Sequence, residues 1–267
     1  MDYKVKIAFL LHVISFLGLF LLLFRTAKKI IIMEENFSLN QKDKITFSFF
    51  NKFLKLFNYL FNEPAMKKSE RALFYKYLDL SHVYFEFGSG GSTYQAAKRN
   101  KKIYSVESDV AWHQKIQRDM KNISIQINEA FAKNNIKITF NPDITYLTID
   151  LHVGKKRWGW PGKDTKFDDW IKYTRAYDHS KYKADLILID GRFRVACGLN
   201  VFKQIDNNVL VYIHDFFNRN QYHILLNYFD VADRADTSVV LRKKTNPPDL
   251  PEDLLNKYEN TPSAITL

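Results

Sequence analysis

His82-Val83-Tyr84-Phe85-Glu86-Phe87-Gly88-Ser89-Gly90-Gly91-Ser92-Thr93 and, a little further on, Ile103-Tyr104-Ser105-Val106-Glu107-Ser108-Asp109 are the two stretches from which the fold is read. The first is a short run of β-branched and aromatic residues that breaks into a glycine loop, with a helix beginning near Ser92. Glycines in such a loop let the backbone approach a ligand closely. The second run is another strand, ending in Glu107, which stands where an acid meets a ribose diol beside a glycine loop. Together they predict a nucleoside site. Thr93 occupies the place of the third glycine in the dinucleotide pattern G-x-G-x-x-G, so the loop departs from that pattern.

Outward from this pair, strand and helix signals alternate. A helix over 65–78 precedes the first strand, and helices over 94–99 and 112–120 flank the second. Strands are predicted over 144–153, 186–190 and 209–214, helices over 195–203 and 221–229, and a closing strand over 238–242. Parallel neighbours need crossover connections, so this order predicts an α/β fold with a Rossmann-like, doubly wound, mostly parallel sheet. From Thr245 onward, four prolines and mixed charge predict an irregular tail.

The N-terminus is of another kind. Residues 7–24 carry no formal charge and are interrupted only by His12, Ser15 and Gly18. At about 1.5 Å per residue such a helix spans a thin bilayer, and the bulky residues before Arg25 do not suit a cleavage site. We therefore expect a single-pass anchor with the lipid bilayer as partner. Lys4 and Lys6 on one side, against Arg25, Lys28 and Lys29 on the other, leave the side of the α/β domain open between cytosol and lumen. Phe49, Phe50, Phe53, Leu56, Phe57, Leu60 and Phe61 recur at helical spacing and predict an amphipathic helix that Pro64 ends. The expected organisation is thus an anchor over 1–29, a stem over 30–64, the α/β domain over 65–244 and a tail over 245–267.

The net charge is +11, and residues 1–71 hold twelve basic and six acidic side chains, so more than half of the excess flanks the apolar N-terminus. That placement suits anionic headgroups, and with no nucleic-acid-binding motif present no nucleic-acid partner is expected. Cys197 is the single cysteine, so no internal disulfide forms.

In a doubly wound sheet the ligand lies beyond the carboxyl ends of the strands. The residues ending the predicted strands are Glu86, Glu107, Asp150, Asp190 and the pair His214-Asp215. Charge at a buried strand end requires compensation by a ligand, a metal or a helix N-terminus. Arg192 and Arg194, just past the fourth strand, either clamp an anionic group of a substrate or neutralise neighbouring acids. The loop containing Trp158 and Trp160 is either an active-site lid that stacks on a ligand or a segment pinned to its own domain.

Glu86-Phe87-Gly88-Ser89-Gly90 resembles the E/D-x-G-x-G loop of class I S-adenosylmethionine-dependent methyltransferases. The resemblance implies S-adenosylmethionine as cofactor, with Glu86, Gly88, Ser89, Gly90 and Gly91 around its methionine part, Glu107 on its ribose and Asp150 completing the set. It also implies a reaction at the fifth strand, where Asp215 or His214 takes a proton from a hydroxyl with Asp190 beside them. Residues 82–229 further resemble a group of methyltransferase-like proteins carrying E-F-G-S-G-G-S-T, W-G-x-P, D-G-R-F-R and H-D-F in this order. A looser likeness to glucuronoxylan O-methyltransferases implies a glycan or other small hydroxyl acceptor. Some O-methyltransferases hold a divalent cation at the positions of Asp190 and Asp215, but His-Asp here replaces their Asp-Asp or Asp-Asn doublet, and a cation is the disfavoured alternative. The competing readings are a membrane-anchored scaffold that keeps the fold, and another transferase on the same fold.

Overall fold

Strands of four to seven residues cannot bury both faces alone, and the chain solves this by laying helices on each side of one sheet. The computed structural model describes residues 62–261, apart from 134, 136, 154–159 and 182. Helix α1 (Lys68–Leu80) leads to β1 (Val83–Phe87), α2 (Gly91–Lys98), β2 (Lys102–Glu107), α3 (Val110–Lys133) and β3 (Ile144–Thr148). Then come α4 (Phe167–Thr174), a 3-10 turn (Ala176–His179), β4 (Leu186–Ile189), α5 (Arg194–Gln204) and β5 (Leu210–Ile213). A 3-10 segment (Asn220–Asn227), β6 (Phe229–Ala235), β7 (Ser238–Lys243) and α6 (Glu252–Glu259) complete the order.

The sheet runs β3-β2-β1-β4-β5-β7-β6. β1 pairs parallel with β2 and β4, β2 with β3 and β4 with β5, whereas β7 is antiparallel to both β5 and β6. The strand order therefore reverses between β1 and β4, and a crevice opens there. Alternation along the strands divides the core. Phe85, Phe87, Ile187, Ile189, Val211 and Ile213 fill one face of the sheet, and Tyr84, Leu186, Leu188 and Tyr212 the other.

Several expected boundaries differ. α3 continues well past 120, because His113, Ile116, Met120 and Ile123 keep one buried stripe at helical spacing among polar residues. β3 stops at Thr148, five residues short of its predicted end, and α4 lies in the connection that follows. The helix predicted over 221–229 is a 3-10 segment, and its last residue, Phe229, begins edge strand β6. The tail is not wholly irregular. α6 buries Leu255 and Glu259, and Glu259 accepts from Nε and Nη2 of Arg175 at 2.8 and 2.9 Å and from Asn200 Nδ2 at 2.9 Å. That partnership joins residues far apart in sequence, which local pattern cannot reveal. The anchor and most of the stem lie outside the described residues, among which no helix is long and apolar enough to cross a membrane.

Candidate active site

Where the strand order reverses, a cleft of about 570 Å³ opens along the carboxyl ends of β2, β1, β4 and β5. Its floor is backbone. A Cβ on Gly88 would lie 3.0 Å from Gly191 N, and Gly88 has φ +98, a conformation that side chains disfavour. A Cβ on Gly191 would lie 2.1 Å from Tyr173 Oη. The β1 and β4 turns can pass this closely only as glycines.

One end of the cleft is built around Glu107, which is 7% exposed. Its Oε1 accepts from Ser108 N at 2.6 Å, Ser108 Oγ at 3.2 Å and Asp109 N at 3.0 Å, and its Oε2 accepts from Ser89 N at 2.9 Å. Burial raises the Glu107 carboxyl above its usual range, although the four donors oppose this. A carboxylate oxygen accepts about two hydrogen bonds, so Oε2 has room for one more donor from the cleft. Asp109 caps α3 by accepting from Trp112 N at 2.9 Å, and the Trp112 indole donates to Ser89 O at 2.8 Å. This sets the Trp112 ring as a wall of the cleft.

At the other end β5 stops at Ile213, and Asp215 turns the chain with φ +57. His214 and Asp215 therefore both line the cleft, although alternation within a continuing strand would have separated them. His214 Nδ1 lies 3.0 Å from Asp190 Oδ1, and its Nε2 is 3.7 Å from Asp215 Oδ1. Burial disfavours the charged ring, but the Asp190 hydrogen bond and the Asp190 and Asp215 charges outweigh it and hold the imidazole above its ordinary value. Burial likewise disfavours the Asp190 carboxylate, yet Arg194 and His214 keep it below the usual range.

Arg194 donates to Gly191 O at 3.0 Å, Asp190 O at 3.1 Å and His214 O, and its Nη2 pairs with Asp190 Oδ1 at 3.0 Å. Of its two readings, these contacts favour the neutraliser that ties two strand ends together. Arg192 lines the cleft and stacks over the Trp160 ring at 4.8 Å, so Trp160 backs a cleft residue without itself lining the cleft. Trp158 lies outside the described residues. Arg219 pairs with Asp215 at 2.9 Å. Asp190 and Asp215 thus each face arginine, and among the described residues no group of three acid, histidine or cysteine ligands is arranged for a metal ion.

Three predicted cofactor residues, Gly88, Ser89 and Glu107, line the cleft; Glu86, Gly90, Gly91 and Asp150 do not. Glu86 is fully buried and turned inward, accepting from Tyr84 Oη at 2.9 Å, Ser92 Oγ at 2.6 Å, Ser105 Oγ at 2.6 Å and Thr93 Oγ1. Burial raises it to about 7 despite those hydroxyls. The reason for its place is alternation, since Glu86 shares the strand face of Tyr84. Gly91 is required by packing, because a Cβ there would lie 2.3 Å from Glu63 C. Asp150 turns back on its own loop, accepting from His152 N at 2.7 Å. Sequence reasoning passed over Trp112, Arg219 and Ala65. Trp112 had a signal, being three residues after the capping Asp109, whereas Ala65 and Arg219 are brought in only by folding.

The fold is similar to that of a methyltransferase-like protein from Silicibacter pomeroyi DSS-3, with a TM-score of 0.57 and 26% identity over 74% of this chain and 95% of that one. The chain has a methyltransferase-like fold. The SAH-bound Podospora anserina methyltransferase PaMTH1 aligns over 78% of this chain and 98% of its own at 12% identity, with a TM-score of 0.39, too low to carry weight. No protein-family model and no curated protein matches the sequence.

Proposed function

We propose that the protein is a membrane-tethered, S-adenosylmethionine-dependent methyltransferase acting on a hydroxyl of a glycan or another small acceptor. The observation that carries the reading is a single cleft with Glu107 beside a bare glycine floor at one end and a His214–Asp190 pair at the other. The residues suit the donor: Glu107 Oε2 has room to accept from a ribose hydroxyl, the Gly88–Gly191 floor admits close backbone contact, and Trp112 offers an aromatic wall. When bound, S-adenosylmethionine supplies a methyl group activated by positive sulfur. Asp190 orients His214 through Nδ1, which leaves Nε2, 3.7 Å from Asp215 in the cleft wall, as the nitrogen to take the proton of an acceptor hydroxyl as that oxygen becomes methylated. Arg194 holds the turns that present Asp190 and His214, and Arg192 stands at the same end, where it suits a polar or anionic acceptor.

Calorimetric titration of the full-length chain tests the donor. It should bind S-adenosylmethionine and the demethylated product; binding of NAD alone would overturn the reading. The tether is supported by the uncharged run over 7–24 and its basic flanks. The chain should stay with membranes through an alkaline carbonate wash, and recovery in the supernatant would remove the anchor from the proposal.

A further inference from the structure

Helix α1 brings to the His214 end of the cleft an acid that lies on no strand. Glu70 is 1% exposed, in the first turn of α1. Its Oε1 accepts from Thr237 N at 3.0 Å and Thr237 Oγ1 at 2.6 Å, and its Oε2 from Lys67 N at 2.8 Å. Burial works against the charge, but these donors and the nearby His214 keep the Glu70 carboxyl below its usual range. The donors belong to a helix start and to the β6–β7 turn, so the carboxylate is fixed from two elements. Oε2 is 3.5 Å from His214 Nε2, while Asp190 sits 3.0 Å from Nδ1 on the opposite side of the ring. The imidazole therefore has a carboxylate at each nitrogen. Asp215 adds a third acid at 3.7 Å; among the described residues the nearby cations are Arg194, paired with Asp190, Arg219, paired with Asp215, and Lys67, paired with Asp236 and within electrostatic reach of Glu70 and Asp215.

We propose that Glu70 is a positioning residue for His214, fixing the ring from its Nε2 side and offsetting the positive charge that the ring acquires when it takes the acceptor proton. The inference rests on the methyl-transfer reading and extends it to a helix outside the strand ends. As the acceptor oxygen bonds to the methyl carbon, its O–H proton passes to Nε2, and the electron pair of the broken carbon–sulfur bond stays on sulfur. Asp190 alone could orient the ring. A fixed charge across Nε2 does something further, because it favours the ring in the protonated form reached during the reaction.

The test is a nitrogen–proton correlation spectrum of the imidazoles in the ¹⁵N-labelled full-length chain at pH 6.5, the ordinary midpoint of the ring, in buffer containing a chelator. The His214 signals, among seven histidines, are identified by their loss in His214→Ala. In the wild type both His214 nitrogens should show mainly the protonated pattern. Glu70→Gln should shift the ring toward the neutral form, with the proton kept on Nδ1 by Asp190, while S-adenosylmethionine affinity on the same samples stays unchanged. A purely structural Glu70 would lower the unfolding temperature and leave the ring pattern as in the wild type; a folded Glu70→Gln with that pattern overturns the proposal. If Glu70→Gln does not fold, Glu70→Asp carries the test, because it keeps the charge but draws it back by one methylene. An intermediate ring pattern then supports the proposal, and a wild-type pattern overturns it. Failure of the wild type to bind the methyl donor would instead overturn the methyl-transfer reading, a result separate from the ring measurement.

Discussion

The two ends of the cleft are both lined by acids, but they satisfy those acids differently. Glu107 is held by Ser108 and Asp109 next to it and by Ser89 from the adjacent strand end, nearly all through backbone N–H groups. Asp190, His214 and Asp215 are held by one another and by Arg194 and Arg219, side chain to side chain. Backbone donors stay in place whatever the ionisation of a ligand, which suits an end that grips a neutral sugar edge. A network of paired charges instead responds to the gain or loss of one proton, which suits an end that moves one. Under the proposed reaction this contrast separates a binding end from a reacting end, and substitutions should divide along it.

The sharpest division is kinetic. With an acceptor in hand, His214→Ala should lower turnover by about 10²–10⁴-fold while donor affinity holds, since proton removal matters in the transition state and not in donor binding. Asp215→Asn measures how far the neighbouring acid shares that role. Wild-type turnover in both variants would erase the distinction between the two ends.

A second comparison concerns buried groups behind the binding end, read through stability against pH. Glu86 is raised to about 7 from 4.5, so in that window the folded chain keeps a proton that the unfolded chain has released, and its contribution falls as pH rises. His113 is lowered by burial to about 4 from 6.5, so its contribution rises with pH across an overlapping window. The two slopes oppose each other in the wild type. At about 1.36 kcal/mol per unit, Glu86→Gln should make stability gain roughly 2–3 kcal/mol more than the wild type between pH 5 and pH 7, and His113→Phe should shift the slope the other way. Denaturant unfolding at the two pH values checks this, and parallel slopes in all three proteins would mean that neither group titrates as its burial demands.

Glu107→Ala should weaken S-adenosylmethionine binding by about 1.5–3 kcal/mol, the range for hydrogen bonds to a charged group, with little change in turnover at saturating donor. Calorimetry decides it, and unchanged affinity would move the ribose contact away from this acid. The smallest effect is expected at Arg192. Arg192→Ala should raise the Michaelis constant several-fold for an anionic acceptor, on the order of 1 kcal/mol, and do little for a neutral one.

What the sequence by itself determined is the part of the molecule that local rules govern. The glycine loop after β1, the acid ending β2, the alternation that demands a parallel sheet and the acids at β4 and β5 all follow from residues close together in the chain. Tertiary structure decided the rest. Glu86 reads as a site residue because it precedes the loop, yet the pleat of β1 turns it toward four hydroxyls inside the protein. Glu70 reads as an ordinary first-turn acid, yet Thr237 and His214 meet it across 167 and 144 residues of chain. Strand period and capping are short-range and repeat wherever their residues occur. Which charge faces which is set by the packing of separate elements, where a carboxylate stays ionised only if folding brings it donors or a cation.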